Sequence, residues 1–261
     1  MKLSSANINV MVNACRKAAK TLIRDFGEVE KLQVSLKGPG DYVTASDKKV
    51  EKILITELQK ARADYSILSE EIGEIKNNES FRWIIDPIDG TSNFLHGIPH
   101  FAISLGLEHN KEIICGIIYD PIKDEMFVAE KGNGSYLNNQ RIRVSARPKL
   151  QDCMIFSGGP RYKSKNKEFV FDEYKKVSSN VKLPIRKYGS AALNMAYVAA
   201  GRCDGYWERD LNYWDIAAGI IIVKEAGGFV TDFKGENAYV QNKTILATNS
   251  KINNEMIKIL M

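Results

Sequence analysis

The chain has 261 residues, 44% of them hydrophobic and 26% charged, with a formal net charge of +5. This composition excludes wholesale disorder, and a charge so modest and dispersed does not by itself argue for nucleic acid. No apolar run is long enough to span a bilayer, no secretory apolar region follows Met1, and Cys15, Cys115, Cys153 and Cys203 form no C-x-x-C pair. The reading is a cytoplasmic protein with reduced, buried thiols, no membrane association, no structural zinc and no disulfide framework.

In chain order, Ile8, Met11, Val12, Cys15, Ala18, Ala19, Leu22, Ile23 and Phe26 recur at helical spacing and predict a helix from residue 5 to about 31. Gly38-Pro39-Gly40 interrupts the pattern as a loop. A second amphipathic helix runs from Ser46 or Asp47 to Arg62, and a short strand, Tyr65–Leu68, ends at Ser69-Glu70-Glu71. The apolar run Trp83-Ile84-Ile85 is a strand ending in Asp86-Pro87-Ile88-Asp89-Gly90, with Thr91 or Ser92 capping a helix. Phe101–Glu108, Ile113–Tyr119 and Glu125–Glu130 read as an antiparallel meander, followed by a strand pair over Ser135–Leu137 and Arg141–Val144. Residues 161–180 read as a charged surface helix. Then come a strand at Ile185–Tyr188, a helix at Ser190–Ala200, a strand at Gly205–Glu208, a helix at Asp215–Ala226, a strand at Phe229–Asp232, a strand at Ile245–Thr248 and a final helix. Without repeats or a long linker, residues 1–261 are expected to form one layered α/β unit. The half to about 145 carries most of the acids, and the half from about 146 completes the site.

Asp47, the pair Glu70-Glu71, Asp86 with Asp89, and Asp215 all lie at element boundaries beside apolar segments. Loops at strand ends are where α/β folds place their sites. Asp47 and Asp215 taken singly are as well explained as helix caps, and Asp-Pro and Asp-Gly as turn chemistry. If these acids converge, they cannot all stay ionised without cations, because like charges raise one another's pKa. Hard oxygen donors of this kind suit Mg²⁺, and a helix start after Gly90 suits phosphate. His96, His100 and His109 make a poor metal site, since Gly97 and Pro99 disfavour a helical ligand pair. No G-x-S-x-G, G-x-G-x-x-G or Walker A pattern is present.

The stretch Trp83-Ile84-Ile85-Asp86-Pro87-Ile88-Asp89-Gly90-Thr91-Ser92-Asn93-Phe94 resembles the first motif of the inositol monophosphatase family. Trp214-Asp215-Ile216-Ala217-Ala218-Gly219, continuing to Glu225-Ala226-Gly227-Gly228, resembles the second. Asp41-Tyr42-Val43-Thr44-Ala45-Ser46-Asp47 and Ser69-Glu70-Glu71 fill the expected upstream places. The resemblance covers nearly the whole chain and is greatest to the bacterial extragenic-suppressor type.

It implies an α-β-α-β-α sandwich, commonly dimeric. It also implies Mg²⁺-dependent, lithium-sensitive hydrolysis of myo-inositol monophosphate or a similar polyol monoester. By this resemblance Glu70, Asp86 and the carbonyl of Ile88 hold one Mg²⁺; Asp86, Asp89 and Asp215 hold a second; a third, weaker ion sits near Glu70 through water. Gly90 and Thr91 donate N–H groups to phosphate. Gly189, Ser190 and Ala191 line the polyol, and Glu208 grips its hydroxyl. Glu70 and Thr91, the latter held by Asp47, position and deprotonate the attacking water. Sister activities on sugar phosphates, nucleotide bisphosphates or histidinol phosphate share these acids, and Arg186, Lys187 or the run Arg161–Lys165 would serve a second phosphate. Members of this type also take part in RNA-polymerase antitermination. Two features depart from expectation: Ser69 stands where the family often has Gly, and Arg209-Asp210 adds charge beside Glu208.

Overall fold

The computed structural model describes residues 5–28, 34–38, 41–77, 80–160 and 164–261, with backbone alone at 34–38 and 41–43. Pro39 and Gly40 of the expected loop, the helix end expected near residue 31, and Arg161–Lys163 of the basic run lie outside the described residues. Helix α1 (Ala6–Phe26) starts at the Ser5 cap, whose side chain accepts from Ile8 N–H. The hairpin strands β1 (Val34–Gly38) and β2 (Asp41–Thr44) flank the Gly-Pro-Gly segment that the sequence suggested was only a loop. Helix α2 (Ala45–Ala61) follows, then β3 (Ser66–Ser69), β4 (Gly73–Ile75) and the nine-residue β5 (Phe81–Asp89). After the single-turn α3 (Thr91–Leu95) comes the expected meander: β6 (Ala102–His109), β7 (Glu112–Asp120), β8 (Glu125–Glu130), β9 (Gly134–Leu137) and β10 (Gln140–Ile142).

Strands β3 to β10 form an eight-stranded sheet in the order β10-β9-β8-β7-β6-β5-β3-β4, antiparallel except for the β3–β5 pair, while β1 and β2 form a separate two-stranded sheet. The remaining elements are β11 (Ile155–Ser157), α4 (Lys167–Ser178), α5 (Ala191–Ala199), β12 (Gly205–Arg209), α6 (Tyr213–Glu225), β13 (Phe229–Thr231), α7 (Tyr239–Asn242), β14 (Thr244–Thr248) and α8 (Asn253–Leu260). A second sheet has the order β11-β12-β14-β13. The strand expected at Ile185–Tyr188 is reduced to one bridge, Phe156 to Arg186, made by Arg186 N–H to the Ile155 carbonyl and Ser157 N–H to the Arg186 carbonyl.

Strand alternation builds the layers. Ile85, Ile103, Leu105 and Ile117 face α1 and α2, where Met11, Leu22, Leu54 and Leu58 are fully buried. The other face, with Ile84, Ile118 and Phe127, packs on α5 and α6, which in turn rest on Tyr206, Val230 and Ala247 of the second sheet. Trp207 and Leu246 point away from that layer, towards Val177 of α4 and Met256 of α8. The fold is thus an α-β-α-β-α sandwich, as the sequence implied. Helix α6 lies unusually close to the large sheet. Gly106 and Gly116 face each other across β6 and β7, and a Cβ on Gly116 would sit 2.7 Å from the Ala218 carbonyl and 2.6 Å from Ile221. This bare patch lets α6 bring its first turn down to the ends of β5 and β6.

Candidate active site

The centre of the site is a defect in β5. Asp86 pairs with Ser104 and Asp89 with Ala102, so the bulged strand spends an extra residue between them. In a regular strand, residues three apart point to opposite faces. The bulge at Pro87-Ile88 removes that alternation, and the Asp86 carboxylate folds back to accept from Ile88 N–H at 3.0 Å. Asp86 is 1% exposed. Burial, followed by the charges of Glu70, Asp89 and Asp215 and a hydrogen bond with Glu70, holds its carboxyl well above the ordinary range. Three acids, from the end of β5, the segment after β3 and the start of α6, therefore converge on the buried Asp86 carboxyl.

Asp89, Asp215 and Asp47 are each steadied by neighbouring donors. Asp89 accepts from Ser190 Oγ, from Ala191 N–H at 3.2 Å and from Ala192 N–H at 2.8 Å, which fastens the bulge to the first turn of α5. Burial pushes Asp89 up to about 7 even though the Ser190 and Ala192 donors oppose the shift, and the nearby Glu208 charge adds to it. Asp215 does not open its helix as expected. It is the third residue of α6, in a capping box, accepting from Asn212 N–H at 2.7 Å. Asp47 occupies the same position in α2: its Oδ2 accepts from Thr44 N–H at 2.8 Å, while Oδ1 lies 3.3 Å from Thr91 Oγ1. Both acids support a helix start through one carboxylate oxygen.

Gly90, not Thr91 or Ser92, is the cap of α3, because the chain enters that turn at φ 98°. A Cβ there would also press on the carbonyls of His100 and Gly189, at 3.1 and 3.3 Å. The first N–H groups of a helix have no partner within it, so Gly90 and Thr91 present donors beside the acids. The Thr91 hydroxyl lies 3.0 Å from the Ile88 carbonyl and 3.3 Å from Asp47, within reach of either. Gly189 adjoins Asn93, whose amide donates to the carbonyls of His100 and Tyr188 at 2.7 Å.

Two contributors were not legible in the sequence. Glu51, on the inner face of α2 and 2% exposed, accepts from Ser69 Oγ, from Glu71 N–H at 3.0 Å and from Ile72 N–H at 3.4 Å. It fixes the loop that carries Glu70, and it explains Ser69: the hydroxyl is used. Its position one turn after Asp47 was the available signal. The second is Tyr206, whose hydroxyl donates to Glu208 at 2.5 Å.

Arg209 and Asp210 are committed elsewhere. Arg209 pairs with the buried Glu173 of α4 and lies over the Phe233 ring at 4.7 Å, on the opposite side of β12 from Glu208. Asp210 accepts from Ser164 Oγ and Asn166 Nδ2, both at 2.7 Å. Lys187 sits over the Tyr174 ring. The histidines do not assemble: His96 bonds the Ser92 carbonyl, His109 stacks on Phe81, and His100 is buried between Tyr188 and Tyr197. All four cysteines are free and buried, as expected.

The donor set suits a hard divalent cation: carboxylates, a strand-end carbonyl and no thiolate or imidazole. Among the described residues no three acidic, histidine or cysteine side chains close into a ready ligand cluster. The acids instead surround Asp86, with Asp89 and Asp215 also accepting from backbone N–H groups. A carboxylate has about four acceptor sites, so such ties leave capacity for a cation. No described helix is long and apolar enough to cross a membrane.

The model of the inositol monophosphatase family matches residues 5–260. The inositol-1-monophosphatase of Mesorhizobium japonicum is 49% identical, over 97% of this chain and 96% of its own length. Nus factor SuhB of Escherichia coli is 36% identical, over 96% and 94%. The crystal structure of the extragenic suppressor protein suhB from Bartonella henselae superposes with a TM-score of 0.95 at 50% identity, covering 98% of each chain. With the family model matched almost end to end and the same layered fold in a half-identical relative, this chain belongs to the inositol monophosphatase family.

Proposed function

We propose that the protein is a Mg²⁺-dependent phosphatase acting on small polyol phosphate monoesters, with myo-inositol monophosphate as the preferred substrate. The observation that carries this reading is the buried Asp86, raised by burial and by Glu70, Asp89 and Asp215, beside the donors of α3. The inositol-1-monophosphatases among its relatives support the substrate.

In this reading Glu70, Asp86 and the Ile88 carbonyl would hold one Mg²⁺, Asp86, Asp89 and Asp215 would hold a second, and Glu70 would help to retain a weaker third. When bound, the ions neutralise phosphate charge, acidify a water and stabilise the leaving oxygen. Gly90 and Thr91 N–H groups orient the phosphate oxygens. The Thr91 hydroxyl, backed by Asp47, positions the attacking water, and Glu70 takes its proton. The water oxygen bonds to phosphorus as the ester P–O bond opposite breaks, and the departing alkoxide is protonated by solvent. Gly189, Ser190 and Ala191 wall the polyol, while Glu208 accepts a hydrogen bond from one of its hydroxyls.

Phosphate release from a panel of monoesters and bisphosphates, with Mg²⁺ and after EDTA, tests the reading. The expected outcome is loss of activity with EDTA, recovery with Mg²⁺, inhibition by Li⁺ and preference for inositol monophosphate. Full activity in EDTA overturns the metal assignment; a strong preference for a bisphosphate overturns the substrate alone. We place the enzyme in the cytoplasm as a homodimer formed by a single compact unit.

The relatives named Nus factor SuhB favour a second role in RNA-polymerase antitermination. Salt-sensitive association with RNA polymerase that persists in Asp215→Asn supports it. No association at low salt removes it.

A further inference from the structure

Strand β12 places Tyr206 and Glu208 on one face, with Trp207 between them on the other. Tyr206 is completely buried among α5, α6 and the second sheet, so its ring cannot move without disturbing that core. Its hydroxyl donates to Glu208 Oε2 at 2.5 Å. The second restraint comes from β11. Ser157 pairs with Trp207 in parallel, and the next residue, Gly158, lies directly against the Glu208 carboxylate. A Cβ on Gly158 would fall 1.9 Å from Glu208 Cδ and 2.2 and 2.3 Å from its two oxygens. The carboxylate occupies the space that any side chain at 158 would fill.

We propose that Tyr206 and Gly158 are positioning residues that hold the Glu208 carboxylate at the substrate wall and so set selectivity for phosphate esters bearing a neighbouring free hydroxyl. This rests on the reading that Glu208 accepts a substrate hydroxyl. The physical need comes from the side chain itself: a glutamate has several rotatable bonds and samples more than one rotamer unless something holds it. Tyr206 supplies that hold with a donor that stays protonated, because burial and the Glu208 charge push its phenol far above the ordinary range. Gly158 supplies the room. A carboxylate has about four acceptor sites, so accepting from Tyr206 is compatible with accepting from substrate. A hydroxyl-free ester makes no use of this arrangement, whereas a polyol does.

The test is the ratio of kcat/KM for myo-inositol 1-phosphate to that for 4-nitrophenyl phosphate, measured in wild type, Tyr206→Phe, Glu208→Gln and the double variant. Tyr206→Phe removes one oxygen and preserves the packed ring. Expected is a fall in the ratio of about tenfold in each single variant, borne mainly by KM, with no further fall in the double variant because Tyr206 acts through Glu208. A Glu208→Gln protein with the wild-type ratio overturns the reading of Glu208 and the inference with it. If Glu208→Gln lowers the ratio and Tyr206→Phe does not, the inference alone is overturned. Equal losses on both substrates in Tyr206→Phe mark a merely structural residue and also overturn it. For Gly158, thermal melting suffices. Gly158→Ala should lower the melting temperature in the wild-type background and far less in Glu208→Ala, where the carboxylate is gone; equal losses in both refute the close approach.

Discussion

At the residue scale, Asp215 combines two duties that a single substitution separates. Its carboxylate accepts from Asn212 N–H at the start of α6, and its charge reaches Asp86. Asparagine keeps a carbonyl for the first duty and loses only the favourable charge in the first turn, so Asp215→Asn should change stability by about 1 kcal/mol or less in urea denaturation. It removes the charge needed for the second, and phosphate release should fall by about two orders of magnitude. A stable variant with normal turnover would return Asp215 to a purely structural role. His100 makes a different prediction. Burial first, and the Lys123 charge next, lower its pKa to about 4 in the fold, while Asp120 acts in the opposite sense. The unfolded chain, with a His value near ~6.5, binds the proton more readily. Stability is therefore full above about pH 6.5 and is lost progressively as pH falls towards about 4, with no further loss below. His100→Phe, which keeps an aromatic ring against Tyr188 and Tyr197, should reduce the drop in unfolding free energy between about pH 8 and about pH 5 by on the order of 1–2 kcal/mol. Identical pH slopes in the two proteins would show that His100 is not the responsible group.

Among the elements, α6 carries most responsibility for assembling the site. Its hydrophobic run, Ile216 to Val223, is buried on all sides because the helix is a middle layer between two sheets. Its approach depends on Gly116, where even a methyl group would meet backbone of Ala218 at 2.7 Å. Backbone cannot rotate away as a side chain can, so Gly116→Ala should cost roughly 1–3 kcal/mol and displace the helix outward. Because Asp215 rides on that helix, the Mg²⁺ concentration for half-maximal activity should rise as well. Chemical denaturation paired with a Mg²⁺ titration checks both effects, and a destabilised variant with unchanged Mg²⁺ response would separate helix packing from the site. Helix α5 has a comparable link, since the Asp89 carboxylate accepts from Ser190 and from the first turn of the helix and so joins α5 to the β5 bulge.

At the scale of the whole molecule, the acids around Asp86 are an electrostatic liability offset by whatever neutralises them, a proton or a cation. A ligand that binds the native state and not the unfolded chain raises stability in proportion to the logarithm of its concentration over Kd. Millimolar Mg²⁺ should therefore raise the melting temperature relative to EDTA, and Asp86→Asn, which removes the central charge, should abolish most of that increment. This readout is independent of turnover. A melting temperature insensitive to Mg²⁺ in the wild-type protein would argue against cation binding at this place.

The sequence by itself determined the helices and strands with strong periodicity and the five-layer class through its motif resemblance, and it singled out the acids that the fold gathers around Asp86. These depend on short-range patterns: apolar spacing, turn residues and caps are visible in neighbouring positions. It misplaced Asp47 and Asp215 as first capping residues, since a capping box and an N-cap look alike without the backbone angles. It missed the hairpin strands β1 and β2 and the short β4, whose pairing is worth little locally and is fixed by their neighbours. Glu51 reads as one more polar residue on an amphipathic helix until the loop it grips is folded against it. Arg209 reads as a threat to Glu208, yet strand alternation and the Glu173 partner turn it away. The motif resemblance groups Asp86 with Asp89, but only the tertiary structure supplies the reason that two residues which a regular strand would send to opposite faces come together. A bulge defined by pairing with β6 overrides the period of two, and pairing with β6 joins residues that the sequence alone keeps apart.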